Sequence, residues 1–268
     1  MTSDDDKKPI SDTFAELDRW RAAESPFTPG SGSELLGDDD DWPSEPLSET
    51  AHRGLEVATD HLQAVRVHLD PSSGLPELFP YAQVTLCRTA LVGAAQAAWL
   101  LAPPARVDRL RRHHTLITEV NTKHRQYLRD LLKLSGADDQ RANTESVLAL
   151  VEARLKEMAT KRAALGETDK FYNTTMIAEA AQDVFGGYPD GADLVLNCLL
   201  EWRAGSGAAH GFTWQTFGKS GMTQTGPPDA NGVAKFSVAG SVDKLANPYL
   251  AAHHMCAQGW KLLRQRGR

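Results

Sequence analysis

Residues 80–102, PYAQVTLCRTALVGAAQAAWLLA, form the most apolar run of the chain and decide its fold class. Apolar residues recur in it at steps of four and seven positions, the spacing that places side chains on one side of an α-helix. These residues are Val84, Leu91, Ala95 and Trp99. Pro103 and Pro104 follow directly and turn the chain, because proline cannot continue a helix. The run therefore predicts an α-helix with a strongly apolar side.

Arg88 falls on that apolar side. A guanidinium that is buried without a partner is costly, so this side chain needs an anion. One interpretation is a structural ion pair with Glu56 or Asp60 on the preceding helix. The other is that Arg88 binds an anionic ligand. The sequence leaves both interpretations open.

Helical periodicity extends over most of the chain from Ser48 onward. It predicts further helices over residues 48–69, 106–133, 142–164, 171–185, 190–203 and 247–268. The dipeptide Asn231-Gly232 lies between two short alternating segments, and this turn is typical of a β-hairpin. We therefore expect an all-α fold, a multi-helix bundle with one small β-hairpin near its C-terminal third.

The N-terminal segment differs from the rest in charge and composition. Residues 1–50 carry a net charge of −10, and the remainder carries +4. The segment is rich in Asp, Ser, Pro and Gly, and the four aspartates at residues 38–41 are expected to resist packing because they repel one another. The sequence therefore predicts an acidic, mostly disordered tail over residues 1–48 and a single helical domain over residues 49–268.

The three cysteines are isolated from one another, and each lies in an apolar helical segment. They are Cys87, Cys198 and Cys256. This pattern favours buried thiols in a reducing cytoplasm over disulfides or a zinc site. The N-terminus lacks the apolar core of a signal peptide, and the apolar stretch at residues 90–102 contains Gln96 and is too short to span a bilayer. We expect a cytoplasmic protein with no metal, no cofactor and no membrane partner.

Residues 197–210, NCLLEWRAGSGAAH, are the best candidate for chemistry. Arg203 and His210 stand seven positions apart across a Gly-Ser-Gly tripeptide, which is expected to end the helix in a glycine-rich corner. Arginine binds phosphate oxygens through a planar fork, and histidine transfers protons near neutral pH. The pattern places two potential catalytic side chains close together in the sequence.

Arg203, six intervening residues and His210 fit the Arg-x4–6-His signature, and this motif resembles that of the HEPN family of helical ribonucleases. The resemblance covers the motif and the all-helical setting. It implies a metal-independent endoribonuclease of the toxin or phage-defence type, with an RNA substrate and a protein inhibitor as partners. It also implies a homodimer in which two motifs share one cleft. His210 would be the general acid or base, Arg203 the phosphate clamp and Ser206 a hydrogen-bonding assistant.

A structural interpretation of this stretch also stays open. Gly205 and Gly207 are suited to a close helix crossing, with His210 capping a helix or bonding a carbonyl and Arg203 paired with Glu201 or another acid. The protein would then be a non-catalytic helical interaction or regulatory protein. Its contacts would come from the basic side of the predicted helix at residues 106–133 and from the acidic tail.

Overall fold

The computed structural model describes residues 9–23, 26–70, 78–134, 138–216 and 222–268. Its α-helices are α1 Phe14–Arg21, α2 Glu34–Asp39, α3 Leu47–Leu69, α4 Ala82–Leu101, α5 Arg106–Leu131, α6 Asp138–Ala164, α7 Asn173–Phe185, α8 Gly191–Ala209 and α9 Val242–Arg266. A 3-10 turn, Thr213–Thr216, follows α8. Strands β1, Met222–Gln224, and β2, Phe236–Val238, pair antiparallel. The predicted all-α fold with one small hairpin near the C-terminal third is confirmed.

The helices group into two compact units. The first comprises Met1–Ala102 and Met176–Arg268, and the second comprises Pro103–Thr175. The single domain over residues 49–268 stays a prediction, since these units are groups of residues in mutual contact. In the second unit, α5 and α6 pack against each other. Helical periodicity identifies each helix but does not specify its packing partner, so the sequence did not reveal this division.

Helix α4 is the centre of the first unit, where it packs against α3, α8 and α9. Five of its alanines are fully buried, and their small side chains let the neighbouring helices approach: Ala90, Ala94, Ala95, Ala97 and Ala98. The helix is 20 residues long and lies within the predicted run 80–102, so it is longer than the apolar stretch at residues 90–102. By length and composition alone it is also apolar enough to cross a membrane. That is weak evidence, because buried core helices meet the same criterion and 67% of its apolar window is buried.

Helices α3 and α4 cross with their backbones in contact at Gly54 and Gly93. A Cβ atom on Gly54 would lie 2.7 Å from the carbonyl oxygen of Gly93, and a Cβ on Gly93 would lie 2.6 Å from the carbonyl oxygen of Gly54. Both distances are too short for real Cβ contacts, and the opposing atoms belong to the backbone. The crossing therefore requires glycine on both helices.

The N-terminal segment differs from the predicted disordered tail. Its residues 1–8 and 24–25 lie outside the described part of the chain. Its described residues contain α1 and α2 and bury the side chains of Ile10, Leu17, Trp20, Leu35 and Trp42. Arg66 of α3 binds Asp18 of α1 at 2.6 Å. The segment folds because burial of these apolar side chains offsets the entropy of ordering it, although its overall composition is acidic.

The aspartate run is part of this folded segment. Asp39 accepts hydrogen bonds from the backbone N–H of Ser48 at 2.9 Å and from its hydroxyl at 2.6 Å. These bonds satisfy a backbone donor in the first turn of α3, where a carboxylate is also favoured by the helix dipole. Burial raises the pKa of Asp39, and the bonds from Ser48 oppose that rise. The run that was expected to resist packing thus caps a core helix.

The basic side of α5 is partly neutralised within the second unit. Its ion pairs include Arg111 with Asp108, Lys123 with Glu119, and Arg129 with Glu152. Arg109 is buried and donates to the carbonyl oxygens of Pro103 and Pro104. Exposed pairs of this kind add little stability, but each cancels a charge. The surface is therefore less cationic than the sequence of this helix suggests.

His253 of α9 is a buried histidine in the core of the first unit. Its ring centroid lies 4.9 Å from that of Trp20 and 6.3 Å from that of Tyr249. Burial lowers its pKa to about 4, and the neighbouring His254 adds to this effect. A carboxylate oxygen of Glu16 lies 3.4 Å from Nε2 and favours the protonated ring, but burial is the stronger influence.

We expect the protein to lose stability as the pH falls from 7.5 to 5. The unfolded histidine has a pKa of about 6.5, so between that value and the folded pKa the unfolded state binds more protons. From His253 alone, the free energy of unfolding is expected to be about 2 kcal/mol lower at pH 5 than at pH 7.5. Denaturant unfolding at both pH values measures it. His253→Phe keeps an aromatic ring and is expected to remove most of this loss.

The exposed neighbour on the same helix provides the matched control for this experiment. His254→Gln is expected to retain the acid-induced loss, because its imidazole stands in solvent in both states. An unchanged pH dependence in His253→Phe would show that this buried ring is not responsible.

Candidate functional site at the end of helix α8

The Gly-Ser-Gly tripeptide lies inside α8, so the structure corrects the prediction that it ends the helix. A helical glycine costs roughly 1 kcal/mol relative to alanine, and close packing offsets that cost here. A Cβ atom on Gly205 would lie 2.5 Å from Cβ of Arg88 on α4, and one on Gly207 would lie 2.8 Å from the ring of Trp214. These glycines therefore allow α4 and the 3-10 turn to approach α8, as the helix-crossing interpretation expected.

The helix ends at Ala209, two residues after the tripeptide, and His210 is its C-cap. Gly211 has a φ of +71°, a left-handed conformation that favours glycine. The backbone N–H of Phe212 donates to the carbonyl of Gly207 at 2.8 Å, and that of Gly211 donates to the carbonyl of Ala208 at 3.1 Å. This pair of bonds is the Schellman motif that closes many helices. His210 is consequently fixed at the helix end with its side chain exposed.

Arg203 and His210 lie on the same side of α8, and both are exposed. Seven residues make nearly two helical turns, which separates their Cα atoms by about 10.5 Å along the axis. Side chains on a helix lean toward its N-terminus, so Arg203 extends away from His210. Glu201 is 9% exposed and lies on the opposite side. Glu201 therefore does not pair with Arg203.

Arg88 joins this site through Ser206. Its Nε donates a hydrogen bond to Oγ of Ser206 at 2.8 Å, across the crossing of α4 and α8. The expected ion pair with Glu56 or Asp60 is absent from the described chain, because Arg88 is turned toward α8 instead. A half-buried guanidinium is thus held by a neutral hydroxyl, and no carboxylate among the described residues lies at ion-pair distance from it.

Comparisons with known proteins do not assign the chain to a family. No family model, no curated protein and no solved structure matches it. The chemistry of the site therefore has to be derived from its own geometry. No group of three or more His, Cys, Asp or Glu side chains that would bind a metal ion occurs among the described residues.

The charges of the site have one sign. Arg88 and Arg203 are cationic, His210 becomes cationic on protonation, and within the described ranges none of the three has a carboxylate at ion-pair distance. Ser206 lies between Arg203 and His210 along the helix. Each guanidinium is suited to bind an anionic group, and the imidazole of His210 is suited to proton transfer.

Sequence reasoning missed two aromatic side chains at this site. Phe212 and Trp214 are each 52% exposed. The ring centroid of Phe212 lies 5.7 Å from that of His210, and Trp214 contacts Gly207. Their position directly after His210 in the sequence is the signal that marks them, because exposed aromatic rings beside cations stack on nucleobases.

Proposed function

We propose that the protein is a metal-independent endoribonuclease of the HEPN type, acting as a toxin or in phage defence. The supporting observation is that Arg203 and His210 are exposed on one side of α8, where Ser206 accepts a hydrogen bond from the half-buried Arg88 of α4. Among the described residues, no carboxylate lies at ion-pair distance from Arg88, Arg203 or His210. Arg203 is the phosphate clamp, and His210 is the general acid or base. Arg88, positioned by Ser206, adds a second cation beside the phosphodiester. Phe212 and Trp214 supply faces for the flanking bases.

The chemistry requires only what these side chains provide. The ribose 2′-hydroxyl attacks the adjacent phosphorus, and the 5′-oxygen leaves, so a 2′,3′-cyclic phosphate forms. An imidazole removes or donates the transferred proton near neutral pH. Guanidinium groups stabilise the negative charge that develops on the non-bridging oxygens. Water and a metal are not needed for this first step.

The proposed enzyme is a homodimer. Arg203 extends away from His210 in one chain, so one phosphodiester is reached most directly by Arg203 of one protomer and His210 of its partner. Leu196 and Leu200 lie on the same side of α8 and are 52% and 50% exposed. An apolar strip in line with the motif suits a two-fold contact in which two α8 helices run antiparallel.

The proposal is tested by incubating the protein with single-stranded RNA in EDTA. We expect cleavage, with 2′,3′-cyclic phosphate ends on the products. Substitution of the ribose upstream of a cut by deoxyribose is expected to abolish that cut, since the nucleophile is then missing. Failure to cleave any RNA, or cleavage that requires a divalent metal, would overturn the proposal.

A non-catalytic interaction protein is the second candidate, and the exposed Leu196 and Leu200 favour it. An apolar helix side serves a protein contact whether or not catalysis occurs beside it. This candidate predicts the same dimer without RNA cleavage. Sedimentation of wild-type protein and of Leu196→Asp with Leu200→Asp measures the dimer independently of the cleavage assay.

A further inference from the structure

A cavity of about 370 Å³ lies in the first unit, away from the residues at the end of α8. It is bordered by α1, α3 and α9. Trp20 and Trp260 form its aromatic walls and are only 4% and 3% exposed. The volume falls in the range of pockets that bind small molecules. The residues that line it determine which ligand chemistry fits.

Helix α3 supplies the acidic side of this cavity. Glu56 and Asp60 stand four residues apart, so their carboxylates share one helix face, and both line the cavity. Arg21 of α1 is the cation of the lining. Among the described residues of the lining, two carboxylates and one guanidinium give a net charge of −1 at neutral pH, because burial lowers the pKa of His52 and keeps its ring uncharged.

The tryptophan rings are oriented by contacts with neighbouring side chains. The indole N–H of Trp260 donates to the hydroxyl of Thr59 at 3.4 Å, and its ring meets His52 edge to face at 5.6 Å between centroids. Trp20 packs on His253 at 4.9 Å. Fixed indole rings next to carboxylates attract cations through the ring quadrupole, more strongly where water is partly excluded.

His52 is a buried polar group at the edge of the cavity. It is 3% exposed, and its Nδ1 lies 3.8 Å from the carboxylate of Glu56, beyond hydrogen-bond distance. Within the described residues its ring has no hydrogen-bond partner. A buried imidazole of this kind normally finds a partner, and a ligand with N–H groups would provide one.

We propose that this cavity binds a small planar organic cation of the amidinium or guanidinium class. Glu56 and Asp60 pair with its N–H groups, and Trp20 and Trp260 contact its apolar part. His52 accepts a further hydrogen bond from it. Anions are disfavoured, because the carboxylates outnumber the single guanidinium.

The test varies the charge of a probe at nearly constant shape. Titration calorimetry at neutral pH compares benzamidinium, benzamide and benzoate with the full-length protein. We expect benzamidinium to bind at least about tenfold more tightly than benzamide, and benzoate to bind least. Equal binding of the three probes, preference for benzoate, or no heat from benzamidinium up to about 10 mM would overturn the proposal.

Variants then locate the binding. Glu56→Gln combined with Asp60→Asn keeps the shape of the lining and is expected to weaken benzamidinium binding by at least about tenfold, with benzamide unchanged. Glu49→Gln is the matched control, because Glu49 is exposed on the same helix, pairs with Arg53 and does not line the cavity. Equal affinity of the double variant and the wild type would place the probe elsewhere. Unchanged denaturant midpoints of these exposed variants confirm that the fold is intact.

Discussion

Replacing Gly93 with alanine is expected to lower the free energy of unfolding by about 2 kcal/mol. The new Cβ would lie 2.6 Å from the carbonyl oxygen of Gly54, and a backbone atom cannot rotate aside. Pushing α3 and α4 apart costs about 3 kcal/mol of packing, and the better helix propensity of alanine returns about 1 kcal/mol. Urea unfolding monitored by circular dichroism measures the difference.

A matched glycine elsewhere controls for helix propensity. Gly37 lies in α2, and a Cβ atom there would meet nothing within 4 Å. Gly37→Ala is expected to leave stability unchanged or raise it by up to about 1 kcal/mol. Combining Gly54→Ala with Gly93→Ala is expected to cost less than the sum of the single changes, because one separation of the helices relieves both clashes. A neutral Gly93→Ala would show that this crossing is not tightly packed.

His210→Ala is expected to reduce RNA cleavage by about 10²- to 10⁴-fold, the usual contribution of a general acid or base. The side chain is exposed, and the backbone bonds that close α8 do not require the imidazole. Stability should therefore stay within about 0.5 kcal/mol of the wild type. Single-turnover cleavage in EDTA, alongside urea unfolding, separates the two effects.

Two further variants make this result specific. His124→Ala removes an exposed histidine of the second unit and is expected to cleave RNA normally. Arg203→Lys keeps the positive charge but loses the planar fork, so we expect cleavage well below wild type. Full activity of His210→Ala would remove this imidazole from the mechanism.

The elements of the fold were largely predictable from local sequence. Periodicity identified the central helix α4 and most of the long helices, and Asn231-Gly232 marked the turn between β1 and β2. Local composition failed for the N-terminal segment, where many aspartates obscured a few well-spaced apolar residues. Trp20 and Trp42 are buried there, and the ring of His253, far along the chain, packs on Trp20. Composition averages over a segment, whereas burial depends on individual side chains.

For this protein the sequence alone determined the helical class, the hairpin and the residue types available for chemistry, because these depend on short-range spacing. Tertiary structure decided the rest. Arg88 and Ser206 are 118 residues apart, and only the crossing of α4 and α8 brings them into a hydrogen bond. The cavity of Trp20 and Trp260 likewise exists only where three helices meet. Contacts between distant segments are set by which helix faces pack together, and periodicity within one helix carries no information about its partner.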